Sequence, residues 1–331
     1  MNELYLHSPG KLELRTVHSP ATLQDTEVRV AVHYGGICGS DIRVYKGLLP
    51  YANYPCRPGH EILGVITESG ADAPFATGTT VVSFPNTYCG SCEFCVQGKT
   101  NICADKKSFG VTVNGLFGEE IVIDSEFVIP VPDGLAKRRA ILTEPFAVNV
   151  HALQKTPITE DTSVAVIGCG TEGLLSIALL EYLGAEITAV DINHDKMKRA
   201  ENGYKTVSIL HPDAADGRFF DVVIEAAGAK EAIEQAFRLT RPGGTMITLG
   251  LTDADIRFPS MLVTRNEITI HGSIIYTKKD FEKALSILAD PAFNSEPILS
   301  KIVPFTQYEE AFTDAATGEF SKIVMDFQAG R

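Results

Sequence analysis

Residues 164–175 read VAVIGCGTEGLL, and this stretch decides the fold. An apolar, strand-like run ends at Gly168, and Gly168, Gly170 and Gly173 form G-x-G-x-x-G before a helical pattern begins. Glycine suits these positions because the turn is tight and the backbone must approach a pyrophosphate. The helix that follows would face the phosphate charge with its N-terminus. Alone the pattern is weak, since glycine-rich strand-to-helix turns also occur without a ligand. Its surroundings strengthen it. A second strand-like run, EITAVDIN, reaches Asp191 about 20 residues on, where an acid can hydrogen-bond a ribose 2′-OH. Asp191 also fits a helix N-cap ahead of the charged run HDKMKRAENG. The candidate cofactor-binding residues are Gly168, Gly170, Thr171, Glu172, Gly173, Asp191 and Asn193. The expected cofactor is NAD, because Ile192, Asn193 and His194 supply no Arg for a 2′-phosphate.

Outward from this turn, strand-like and helix-like runs alternate. FFDVVIEAAG, KEAIEQAFRLT, GGTMITLG and NEITIHGSIIY follow in order, and the last reads as a long apolar strand. Alternation of this kind means βαβ units on a parallel sheet. Residues 1 to about 150 differ in texture. TEVRVAVHYGGICGSD, GHEILGVITESG, TTVVSFP and FGEEIVIDSEFVIPVP are short runs broken by Gly and Pro, which suggests a β-rich, barrel-like domain. The tail from ILSKIVPF onward returns to strand, helix and strand and could close back onto that first domain. The expected class is α/β with two domains.

The chain has 331 residues, 44% hydrophobic and 21% charged, with a net charge of −13. This length allows two domains. The acidic balance argues against nucleic acid or an anionic membrane as partner. No apolar run approaches the ~20 residues of a membrane helix, and MNELYLHSPGKLELRT lacks the apolar core of a signal peptide. The expected compartment is the cytoplasm, where thiols stay reduced.

Four of seven cysteines crowd into CGSCEFCVQGKTNIC, residues 89–103. Cys89, Cys92, Cys95 and Cys103 either pair as disulfides or converge on a metal. A reducing compartment disfavours disulfides, and four thiolates fit a closed tetrahedral zinc site. Such a site has no open position, so it staples a loop and performs no catalysis.

Catalysis needs another set. GGICGSD offers Cys38, Ser40 and Asp41; PGHEILG offers His60 and Glu61; LTEPFAVNVHAL offers Glu144. A Cys, a His and a carboxylate suit a zinc with an open fourth position. Each also has a structural reading: Cys38 as a small buried apolar residue, His60 as a core histidine, Glu144 as a helix N-terminal charge.

Taken together and in order, GICGSD, GHE, the four-cysteine lobe, EP and VIGCGTEG with its downstream Asp resemble the zinc-dependent medium-chain dehydrogenases, the alcohol and polyol dehydrogenase family. The resemblance covers essentially the whole chain. It implies a GroES-like β-barrel catalytic domain, residues 1–149 and 275–331, and an inserted Rossmann cofactor domain, residues 150–274. It implies that Cys38, His60 and Glu144 hold a catalytic zinc, with Glu61 beside it as an alternating ligand. Cys89, Cys92, Cys95 and Cys103 would hold a second, structural zinc. Glu144, where many alcohol dehydrogenases have Cys, is similar to the sorbitol and threonine dehydrogenase branches. In such a site zinc acidifies a substrate hydroxyl and the nicotinamide takes the hydride. Ser40 stands where the family places a hydroxyl that relays the proton.

Several positions depart from the family. Arg43 replaces a His that ends the relay in many members, and a guanidinium cannot accept a proton. It could bind the cofactor pyrophosphate or an anionic group on the substrate. Ile275 replaces an Arg that polyol dehydrogenases place near substrate, while Tyr276 remains; Thr171 stands where many have Pro. The expected substrate is a secondary alcohol of a polyol, cyclitol, amino alcohol or sugar phosphate, with sorbitol a poor one. A threonine dehydrogenase-like enzyme, or a non-enzymatic sensor using the cysteine lobe as a redox switch, are the alternatives. The long last strand of the cofactor domain suggests a homodimer or homotetramer.

Overall fold

A computed structural model describes residues 1–215 and 217–329. The chain divides into two units, residues 1–144 with 277–289 and 299–331, and residues 145–276 with 290–298.

The first unit centres on the strand Glu27–Ile37, long enough to pair with three others. It runs antiparallel to Glu61–Ser69, Glu120–Asp124 and Lys322–Asp326 within a seven-stranded sheet. The tail forms the strand Leu299–Pro304, the helix Tyr308–Thr317 and the strand Lys322–Asp326. The last of these pairs Ile323 with Ile37 and Met325 with Gly35, so the C-terminus does return to the N-terminal sheet. Val28, Val30, Val32, Ile62, Ile66 and Met325 alternate into one core with Phe117, Phe312 and Phe327.

The second unit is a six-stranded sheet whose paired strands all run parallel. In chain order its strands are Ser163–Ile167, Glu186–Val190, Val207–Leu210, Phe220–Glu225, Thr240–Thr248 and Thr269–Gly272, and they lie side by side as 3-2-1-4-5-6. That order belongs to the doubly wound dinucleotide-binding fold, and its switch point lies between the first and fourth strands. The helix Thr171–Leu183 follows the glycine turn and is buried continuously from Gly173 to Leu180. It ends at Gly184, whose φ of 82° supplies the left-handed C-cap.

The last strand is shorter than its sequence suggests. Only Thr269–Gly272 pairs with the sheet, at its edge, and the chain leaves it before Ile275, which adopts φ 40°. A β-branched residue in that region ends a strand. Tyr276 then buries its ring almost completely.

Candidate active site and metal centres

Gly168, Gly170 and Gly173 do three different jobs. Gly168 takes φ 95°, which only glycine adopts at little cost. A Cβ on Gly173 would lie 1.7 Å from the Gly168 carbonyl oxygen, so helix and turn pack together only without a side chain. Gly170 needs neither concession: its φ is −76°, and a Cβ there would meet nothing within 4 Å. The space that Gly170 leaves open is where a phosphate would approach the backbone and the helix N-terminus.

Asp191 closes this turn from the end of the second strand. Its Oδ2 accepts from Cys169 N at 2.7 Å and its Oδ1 from Asn193 N at 2.8 Å. Asp191 is not the helix N-cap. That role belongs to Asn193, whose Oδ1 accepts from Asp195 N and Lys196 N. Asp191 lines a cleft of about 670 Å³ with Gly168, Ile192, Ala227 and Arg238. Glu172 accepts from Asn149 Nδ2 at 2.8 Å and Thr171 opens the helix beside it.

The sequence reading overlooked Glu225. It ends the fourth strand opposite Ile167, at the switch point, and is fully buried. Its Oε1 accepts from Ala227 N and Gly228 N and so fixes the turn that forms one wall of the cleft. Burial raises its pKa against the pull of those N–H groups.

In the first unit, Cys38, His60 and Glu61 converge, with one ligand atom from each within 4.8 Å of the others. Cys38 is the N-cap of the helix Gly39–Tyr45, and His60 and Glu61 lead into the strand that pairs with Glu27–Ile37. Gly36 faces Glu61 across that pairing. A Cβ on Gly36 would fall 2.1 Å from Glu61 Oε2, so the glycine makes room for the carboxylate. Glu144 is not part of this trio; it is buried in the first turn of the helix Thr143–Leu153.

Two partners of the trio carried no role in the sequence reading. Asp41 is buried. Its Oδ2 accepts from Cys38 N at 3.0 Å and its Oδ1 from Gly59 N at 3.2 Å, while Oδ1 also lies 3.4 Å from His60 Nδ1. A carboxylate behind a histidine sets ring orientation in metal sites. Lys322, from the C-terminal strand, bonds both oxygens of Glu61 and reaches Ile37 O at 3.3 Å. Burial alone would pull the His60 imidazolium down, but Asp41 and Cys38 outweigh it and hold its pKa well above the usual value. Surroundings that favour a proton on His60 also favour a metal cation, which competes for the same nitrogen. Ser40 Oγ lies 3.5 Å from His60 Nε2.

Cys89, Cys92, Cys95 and Cys103 form a second cluster within the same 4.8 Å limit. The Cys89–Cys95 and Cys92–Cys103 sulfurs are each 4.0 Å apart, close to the ~3.8 Å edge of a tetrahedron with ~2.3 Å zinc–sulfur bonds. They are far beyond the ~2 Å of a disulfide. Backbone N–H groups of Ser91 and Cys92 lower the Cys89 thiol to about 6, which favours the thiolate a metal requires. Burial raises the thiol of Cys95 in the same lobe to about 12, and those of Cys56 and Cys169 to about 11 and about 12.

Both donor sets therefore fit zinc, and the glycine turn fits a dinucleotide. No helix among the described residues is long and apolar enough to cross a membrane. Residues 24–133 match the alcohol dehydrogenase GroES-like domain and residues 173–290 the zinc-binding dehydrogenase domain. A sorbitol dehydrogenase of Halalkalibacterium halodurans is 31% identical, with 96% of each chain covered. Among solved structures, a zinc-binding dehydrogenase of Sinorhizobium meliloti 1021 bound to NADP superposes with TM-score 0.91 at 26% identity, covering 98% of each chain. Galactitol-1-phosphate dehydrogenase of Escherichia coli superposes with TM-score 0.90 at 26% identity, covering 98% of this chain and 100% of the other. The chain belongs to the zinc-dependent medium-chain alcohol and polyol dehydrogenase family, with a GroES-like domain and a Rossmann cofactor domain.

Proposed function

We propose that this chain oxidises a secondary alcohol of a polyhydroxy compound with NAD. The observation that carries the reading is the convergence of Cys38, His60 and Glu61 beside Ser40, apart from the closed four-cysteine lobe. A pure sensor has no use for a second, open donor set. Cys38, His60 and Glu144 would hold the catalytic zinc, with Glu61, kept on Lys322, as alternating ligand. The lobe cysteines would hold the structural zinc. When bound, zinc supplies a Lewis acid that acidifies the substrate hydroxyl, and the nicotinamide supplies the hydride acceptor. Asp41 orients the His60 ring and Ser40 takes the hydroxyl proton. Arg43 cannot carry that proton onward, so it leaves Ser40 for solvent.

One structural relative carries NADP, so family membership does not choose the cofactor. Asp191 favours NAD: its carboxylate can accept from ribose hydroxyls and repels a 2′-phosphate. For the substrate, relatives named for sorbitol and galactitol 1-phosphate support the polyol class. A screen of polyols, cyclitols, amino alcohols and sugar phosphates, read as NADH absorbance, tests the reading. Failure of every alcohol with zinc-loaded protein overturns it.

A further inference from the structure

We propose that Arg43 is an anion receptor that binds a phosphate or carboxylate carried by the substrate. The proposal rests on the reading of Cys38, His60 and Ser40 as the reaction centre. Arg43 lies three residues after Ser40 on the helix Gly39–Tyr45, and residues so spaced are neighbours on one helix face. Ser40 in turn reaches His60.

Arg43 is half-buried, and its Nε is shielded from solvent without a hydrogen-bond partner. Among the described residues it makes no ion pair. Arg57, Lys46 and Tyr54, in the segment that follows, are engaged. Arg57 donates to Glu3 Oε2 at 2.8 Å and to Gly115 O at 2.6 Å. Lys46 reaches Ala316 O at 3.5 Å and Tyr54 donates to Val44 O at 2.5 Å. Carboxylates outnumber Lys and Arg by 42 to 29, so an unpaired Arg does not reflect a shortage of acids.

A buried donor without an acceptor is costly, and a bound anion relieves the cost. The guanidinium edge matches the two oxygens of a phosphate or carboxylate. Its place in the last helical turn also puts a cation near the helix C-terminus. That weak attraction holds for an exposed side chain as well, so it does not account for the stranded Nε. A cofactor pyrophosphate offers the same chemistry, and the experiment separates the two sources.

Zinc-loaded wild type, Arg43→Gln and Arg43→Lys are compared by three readouts: calorimetric titration with inorganic phosphate, NADH binding by fluorescence, and the ratio of kcat/KM for sorbitol 6-phosphate to that for sorbitol. Wild type binds phosphate and prefers the phosphorylated substrate. Arg43→Gln abolishes phosphate binding and lowers that ratio by about 10- to 100-fold through KM, with the NADH dissociation constant unchanged. Arg43→Lys recovers part of the loss. Weakened NADH binding with the substrate ratio intact assigns Arg43 to the cofactor and overturns the proposal, as does no change in any readout. If no alcohol turns over, the functional reading fails, while phosphate titration still decides the role of Arg43.

Discussion

Lys322 Nζ sits 2.7 Å from Glu61 Oε1 and 2.9 Å from Oε2, with both side chains almost completely buried. Removing one partner of such a pair strands the other charge, a cost of ~3–5 kcal/mol. Lys322→Met should lower stability by that order in chemical denaturation. Adding Glu61→Gln should recover part of the loss, because the stranded charge is then gone. If Lys322→Met unfolds at the wild-type denaturant concentration, the pair does not hold Glu61.

The two metal clusters should separate by mutation. Cys92→Ser should lose one zinc and destabilise the fold, since binding energy at a closed structural site is folding energy. Cys38→Ser should lose the other zinc and impair turnover far more than stability. Zinc analysis and thermal unfolding on both variants check this. Equal stability losses would count against the division into structural and catalytic sites.

Gly170 and Gly173 should respond oppositely to alanine. At Gly173 the new methyl meets the Gly168 carbonyl, and overpacking of that kind costs ~1–3 kcal/mol. At Gly170 it enters open space, so stability should stay within ~0.5 kcal/mol while dinucleotide binding weakens. Unchanged NADH affinity in Gly170→Ala would show that the open space is not the phosphate site.

How much of this was legible depended on sequence distance. The glycine turn and the cysteine lobe are each local in sequence, so spacing pointed to both, with the downstream Asp191 supporting the turn. Lys322 meets Glu61 across 261 residues, and a lysine within the apolar run SKIVMDF carries no local sign of its partner. Asp41 was visible in GICGSD, but its contact with His60 needs the turn that brings Gly59 beside it. The last strand was misjudged in length because the isoleucines of NEITIHGSIIY run on past Thr269–Gly272, the only part that pairs, while Ile275 takes φ 40°.

Cofactor choice should follow Asp191. Wild type should show a higher kcat/KM with NAD than with NADP, and Asp191→Ala should narrow the gap by ~1–3 kcal/mol. Equal wild-type values for the two cofactors would remove the role assigned to this carboxylate. The variant also frees Cys169 N and Asn193 N, so thermal unfolding should accompany the kinetics.

Assembly should use the exposed edge of the parallel sheet. Thr269–Gly272 is the last strand and Ile270 on it is exposed, an edge that proteins usually pair or cover. Light scattering at micromolar concentration should give a dimer or tetramer mass. A monomer mass would leave that edge bare.

Metal content and turnover measured on one preparation decide the catalytic reading. Purified protein should approach two zinc ions per chain, one in the closed lobe and one in the open site. Chelation that removes the more labile zinc should leave the fold intact and abolish alcohol-dependent NADH formation, and added zinc should restore it. Protein stripped of both zinc ions that still reduces NAD at the native rate would contradict the mechanism.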